Sequence, residues 1–143
     1  MPAMKRPIPA FLAFSVLLAG CDIIIEDPFL FDERDLLTGN YEVEEYSETE
    51  GATFVYDLSI YKSRHHYNII ILYNLYDSDL EVIAEVYEYG KKIRIPVQRI
   101  GDLEFEGAGT LYNDEELSIT YTVRNMSNNP LFADFVSAIA WKY

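Results

Sequence analysis

Beyond Gly39 apolar and polar residues alternate with a period of two. Phe54, Tyr56, Leu58 and Ile60 share one face, with Asp57 and Ser59 on the other. Leu80, Val82, Ala84 and Val86 alternate with Glu81 and Glu85, and Ile93, Ile95 and Val97 with Lys92, Arg94 and Gln98. Leu103, Phe105, Gly107 and Gly109 oppose Glu104 and Glu106, while Leu117, Ile119, Tyr121 and Val123 oppose Glu116, Ser118, Thr120 and Thr122. This period marks strands with one buried face. Three more strands, over 41–47, 67–76 and 132–143, alternate less cleanly. Turn residues fall between the runs: Glu50-Gly51, Asp77-Ser78-Asp79, Tyr89-Gly90, Gly101-Asp102, Asn113-Asp114 and Asn128-Asn129-Pro130. The pattern predicts an all-β, antiparallel fold of about eight short strands, closed as an up-and-down barrel or folded as a β-sandwich. Inward Gly107 and Gly109 suit a barrel corner, whereas Pro96 lacks a ladder donor and suits an edge; a bulge at Pro96 reconciles the two.

The front of the chain follows a different rule. Lys5 and Arg6 precede an apolar run over 8–18 that is too short to span a bilayer, and Leu18-Ala19-Gly20-Cys21 follows it. This tetrad resembles the lipobox of bacterial lipoproteins. The resemblance implies cleavage before Cys21, a diacylglycerol on its thiol and an acyl chain on its amine. At roughly 0.8 kcal/mol per buried methylene, two or three chains anchor stably where one does not. The expected organisation is a signal peptide over 1–20, a lipid-anchored tether over 21–37 and a β domain over 38–143. Asp22, Glu26 and Asp27 fit either inner-membrane retention or surface export in a Gram-negative envelope. Ile23-Ile24-Ile25 and Phe29-Leu30-Phe31 are too apolar for a free tether, so part of it is expected to pack back on the domain or near the lipid.

Charge narrows the partners. The whole chain carries a formal −13, and loss of residues 1–20 removes two basic residues and no acidic one. Such a surface repels nucleic acid. With one cysteine there is neither an intrachain disulfide nor a cysteine-based zinc site.

At the head of the first strand, Gly39-x-Tyr41 resembles the G-x-W signature that opens lipocalin-type barrels, with Tyr in place of Trp. The resemblance implies that the aromatic closes the barrel floor and that a basic residue of the last strand, here Lys142, packs over it.

Candidate chemistry is sparse. His65 and His66 are adjacent between strands, point to opposite sides, and read as a solvated loop. Asp77-Ser78-Asp79 and Asn113-Asp114-Glu115-Glu116 lack the glycine and distal glutamate of a calcium loop and read as turns. Lys92 and Arg94 are expected to pair with Glu104 and Glu106 across a hairpin. No serine or cysteine has a histidine at nucleophile–base spacing, so the expected role is non-enzymatic, without cofactor or metal. The candidate ligand-binding lining is the barrel interior: Tyr56, Ala84, Phe105, Gly107 and Tyr121. If Ala84, Gly107 and Gly109 leave a void, it suits a small apolar ligand oriented by the two phenols; if Phe54, Phe105 and the aliphatics fill it, the interior is simply a core. Tyr73, Tyr76, Tyr87, Tyr89 and Trp141 offer a surface for protein or glycan, and the run 67–76, apolar on both faces, suggests a covered side. Alternation of Phe135, Ile139, Trp141 and Tyr143 faintly resembles an outer-membrane barrel, but the charged face is too charged for lipid. The expectation is a lipid-anchored envelope module that binds a small apolar ligand or a surface partner. The alternative is a structural accessory subunit of an envelope complex.

Overall fold

The computed structural model describes residues 31–127 and 133–143, and the compact unit they form runs from Asp32 to Tyr143. The signal peptide, the lipobox with Cys21, tether residues 22–30 and the Asn128-Asn129-Pro130 turn lie outside the described residues. A 3₁₀ turn η1 (Glu33–Leu36) leads into eight strands: β1 (Gly39–Ser47), β2 (Ala52–Lys62), β3 (Ile69–Tyr73), β4 (Glu81–Tyr87), β5 (Lys92–Ile100), β6 (Leu103–Tyr112), β7 (Glu116–Asn125) and β8 (Ala133–Lys142). A second 3₁₀ turn, η2 (Leu75–Asp77), follows β3. Each strand pairs antiparallel with the next, and β8 returns to β1 from Tyr41↔Lys142 to Ser47↔Val136. The fold is therefore a closed up-and-down barrel, not a sandwich, and closure leaves no unpaired sheet edge.

Parity puts the core inside. Val43, Leu58, Ile60, Ile70, Leu72, Val82, Ala84, Ile93, Ile95, Leu117 and Ile119 are almost wholly excluded from solvent. Apolar residues inside and charges such as Glu42 and Arg94 outside reverse the arrangement of an outer-membrane barrel. Positive-φ residues make the tight turns where the sequence places them: Gly51, Glu88-Tyr89-Gly90, Gly101 and Asn113-Asp114.

The bulge expected at Pro96 is present. Ile95 pairs with Gly107 but Gln98 with Phe105, so β5 carries one extra residue there. That residue reverses the parity, and Val97, expected to face inward, is 59% exposed. It also shortens the β4–β5 ladder to Glu85↔Arg94, Val86↔Ile93 and Tyr87↔Lys92. The Gln98 amide takes over where that ladder stops. Its Oε1 accepts from the Ile83 N–H at 2.8 Å, and its Nε2 donates to the Ile83 carbonyl at 2.9 Å.

Two further expectations change. Arg94 lies opposite Ala108 and pairs with Glu85 at 3.0 Å, Lys92 reaches Glu88 at 3.6 Å, and Glu104 pairs with Arg124 on β7 at 3.4 Å. The tight Gly101 turn sets this register, so Lys92 and Arg94 sit too far down the hairpin to meet Glu104 and Glu106. The run 67–76 is not one strand. Tyr67 is 87% exposed, β3 spans Ile69–Tyr73, and Asn74 turns left-handed at φ 80°. The Asn74 side chain holds that turn by donating to the Asp57 carbonyl and accepting from the Asp79 N–H, both at 2.8 Å.

η1 closes one end of the barrel. Arg34 donates to the Ser63, His66 and Ile69 carbonyls at 3.1, 2.9 and 3.2 Å and pairs with Asp32 at 2.9 Å. Arg34 thereby satisfies carbonyls at the β2–β3 loop and fixes η1 to it, and its guanidinium holds the Asp32 carboxyl well below the usual range. Gly90 lies so near η1 that a Cβ there would come within 2.5 Å of the Glu33 carbonyl. Leu37 and Tyr41 are fully buried behind it. Residues 32–37 of the expected tether thus pack back on the barrel. Lys142 Nζ lies 5.6 Å from the centroid of the Tyr41 ring and donates to the Leu36 carbonyl at 2.8 Å, the placement that the lipocalin resemblance implies.

Candidate functional site

The opposite end is polar, and β1 supplies its centre. Tyr41 and Val43 face inward, so two residues further along Glu45 must as well, and it is 2% exposed. Tyr56 of β2 donates its hydroxyl to Glu45 Oε1 at 2.7 Å, and the Tyr121 hydroxyl of β7 donates to the same oxygen. Among the described residues no hydrogen bond reaches Glu45 Oε2.

A second carboxyl stands beside it. Asp134, 7% exposed at the start of β8, accepts on Oδ2 from Ser47 Oγ at 2.6 Å and the Tyr76 hydroxyl at 2.7 Å, and on Oδ1 from the Thr49 N–H at 3.1 Å. Tyr76 links the two groups, because its N–H donates to the Tyr56 hydroxyl at 3.0 Å and its ring meets Tyr121 edge-on at 6.3 Å. Tyr76 holds φ 65°, an uncommon conformation for a bulky residue, and these bonds anchor it there.

Burial sets the electrostatics. It pushes the Glu45 carboxyl up, helped by the charges of Asp134 and Asp77, and the two phenols offset only part of the rise. It raises the Tyr56 and Tyr121 phenols, with the neighbouring Glu45 charge adding to the effect. For Asp134 burial also acts upward, but the bonds from Ser47, Tyr76 and Thr49 outweigh it and its carboxyl ends below the usual range. Two adjacent carboxyls are thus displaced in opposite directions, a pattern more common at functional sites than in structural cores.

These groups border an open cleft of about 430 Å³ lined by Glu45, Ser47, Glu50, Phe54, Tyr76 and Asp77. Phe54 shares the inward parity of β2 but sits at the rim, 45% exposed. A second depression of about 340 Å³ lies along β6, β7 and β8, bordered by Thr120, Phe135 and Ser137. Its buried polar side chain, Tyr121, already donates its hydroxyl to Glu45.

The residues singled out from sequence divide. Tyr56 and Tyr121 meet at the polar end, and Phe105 lies beside Tyr121 with ring centroids 6.5 Å apart. Ala84 lies opposite Ile70 in the apolar interior, away from this cluster. Gly107 leaves no room along its Cβ direction, since a Cβ there would fall 2.4 Å from the Tyr121 Cβ, although its backbone borders the 340 Å³ depression; Gly109 is occupied in the same way by Ile93 at 3.0 Å. Glu45, Ser47 and Asp134 were not singled out, and Tyr76, expected on a surface for protein or glycan, instead bonds Asp134 and Tyr56 at this end. For Glu45 the signal was present: an acid at an inward position, four residues after Tyr41. His65 and His66 are exposed, and among the described residues no group of His, Cys, Asp and Glu is placed to hold a metal ion.

No family model matches this sequence, and no curated protein does. The fold is similar to a redesigned beta barrel, at a TM-score of 0.54 and 10% identity over 80% of this chain and 97% of that one. It is equally similar to EF1p2_mFAP2b solved bound to DFHBI, at a TM-score of 0.54 and 12% identity over 78% of this chain and 98% of that one. At these identities the likeness establishes the barrel fold.

Proposed function

We propose that this chain is a lipid-anchored, non-enzymatic lipoprotein of the Gram-negative envelope whose barrel binds a small ligand at its open end. The observation that carries the binding role is Glu45: a carboxyl 2% exposed, bonded to protein on one oxygen among the described residues, at the wall of a 430 Å³ cleft. A buried, incompletely bonded carboxyl is costly unless something completes it. Asp134, by contrast, has both oxygens engaged by protein and acts as a strut. A protein of similar fold, EF1p2_mFAP2b, was solved bound to DFHBI, which is compatible with this reading. Because Tyr121 and Ile93 fill the space at Gly107 and Gly109, the ligand sits at the mouth, with its apolar part against Phe54 and Tyr76.

The anchor rests on Leu18-Ala19-Gly20-Cys21 and the preceding apolar run. A Cys21→Ser variant should lose palmitate labelling and membrane retention; retention of both would refute lipidation. A second reading, an accessory subunit, draws on Phe135, Ile139 and Trp141, which are 55%, 39% and 40% exposed along the outer face of β8. Native mass spectrometry of the full chain extracted from bacterial envelopes separates the two. A co-purifying small mass that is lost on denaturation, and absent from Glu45→Gln, supports the binder. A ligand-free chain that cross-links to a protein through β8 supports the subunit.

A further inference from the structure

We infer that the cleft at the open end selects a small organic ammonium ion, with Glu45 Oε2 accepting from its N–H group and Tyr76 and Phe54 flanking its hydrocarbon. This inference rests on the binding role proposed above and specifies the ligand's chemistry.

The case comes from what lines the cleft. Glu45, Glu50 and Asp77 contribute three carboxyl groups, Asp134 stands one hydrogen bond behind through Ser47 and Tyr76, and no lysine or arginine is among the lining residues. An anionic ligand would enter against all four. A neutral hydrogen-bond acceptor would leave Oε2 unpaired, because an ionised carboxylate can only accept. The Tyr56 and Tyr121 hydroxyls are already committed to Oε1, so they orient the carboxylate and leave the other oxygen for the incoming donor. A protonated amine supplies both the donor and the charge, and charge-assisted bonds of this kind are the stronger class. The aromatic components agree: the Phe54 and Tyr76 rings favour a cation or its adjacent methylenes. A bare divalent metal fits less well, since among the described residues no cluster of ligating side chains is placed to hold one. The cleft, at about 430 Å³, lies in the range of small-molecule sites.

Burial opposes ionisation of Glu45, and the ammonium ion binds its ionised form. Affinity is therefore expected to increase with pH as Glu45 ionises, until the amine itself loses its charge.

The test uses the full chain in detergent micelles, titrated with phenethylamine, with its neutral analogue 2-phenylethanol and with 3-phenylpropionate. Binding is followed by calorimetry and by the amide shifts of Glu45, Phe54 and Tyr76. The expected result is phenethylamine bound at least tenfold more tightly than either analogue, with the shifts confined to the cleft. Glu45→Gln, which keeps the side-chain shape and an acceptor for the two phenols, should remove that preference. Phe54→Ala, at a half-exposed wall outside the buried network, should weaken the amine even if the glutamine variant folds poorly. Equal binding of the alcohol or the acid at the cleft overturns the ammonium assignment and leaves the binding role standing. The same holds if calcium chloride alone shifts the same amides. Absence of any cleft response to all the probes overturns both.

Discussion

Lys142 lies over the ring of Tyr41 at 5.6 Å, joining the last strand to the first across the seam that closes the barrel. The lysine also bonds the Leu36 carbonyl at 2.8 Å, so one side chain fixes β8, β1 and η1 together. Lys142→Met keeps the aliphatic packing but loses the cation–aromatic contact and the hydrogen bond. The expected cost is about 1–2 kcal/mol in urea denaturation. An unchanged midpoint would mean that η1 closes the floor without it.

The Gln98 amide substitutes for a ladder residue where the bulge ends the β4–β5 pairing. Gln98→Ala leaves the Ile83 N–H and carbonyl without that partner and is expected to cost about 1–2 kcal/mol. More diagnostic is hydrogen exchange. The Ile83 amide should exchange faster in the variant by more than the global loss of stability explains, while Ile70 and Ile119 follow the global change.

Gly107 and Gly51 make different demands. At Gly107 a Cβ would lie 2.4 Å from the Thr120 carbonyl oxygen and from the Tyr121 Cβ; at Gly51, with φ +63°, it meets open space. Gly107→Ala should destabilise by about 3 kcal/mol through overpacking against backbone. Gly51→Ala should cost about 1 kcal/mol through backbone conformation alone. Equal midpoints for the two variants would contradict the close approach of β6 to β7.

Glu45 makes stability depend on pH. Its folded-state pKa is raised, so its contribution is fully present below the ordinary value of 4.5 and is lost as pH rises through the folded-state value. Asp134 works in the opposite sense. Its lowered carboxyl contributes above its ordinary 3.8, and that contribution fades as pH falls through the folded-state value. Relative to wild type, Glu45→Gln should gain stability as pH rises above 4.5, by at most about 1.4 kcal/mol per pH unit, and show no further gain once wild-type Glu45 is ionised. Chemical denaturation of both proteins between pH 4 and 9 measures the difference. A constant offset across that range would mean that the Glu45 pKa is the same in the folded and unfolded states.

The closed end was the more legible half of the molecule. Gly39-x-Tyr41 resembles the opening signature of lipocalin-type barrels, and that resemblance, not the period of the strands, implied that Lys142 packs over Tyr41. The strands and turns were legible from the residues themselves, since alternation and left-handed turn residues are local properties. Where a local rule was interrupted, reading by period failed. One bulge residue turned Val97 outward, and a left-handed Asn74 ended β3 and carried Tyr76 over the barrel mouth.

By itself the sequence determined an all-β meander, its inward and outward faces, its turns and the bulge at Pro96. Each follows from backbone geometry acting over a few residues. Tertiary structure alone decided that the barrel closes, that Gly107 is filled by Tyr121, and that Glu45, Tyr56, Tyr76, Tyr121 and Asp134 meet at one end. Ser47 and Asp134 are 87 positions apart in the chain, and only the joining of β1 to β8 brings them within 2.6 Å. Burial strength, and with it the opposite displacement of the two carboxyls, exists only after the whole barrel has excluded water from that end.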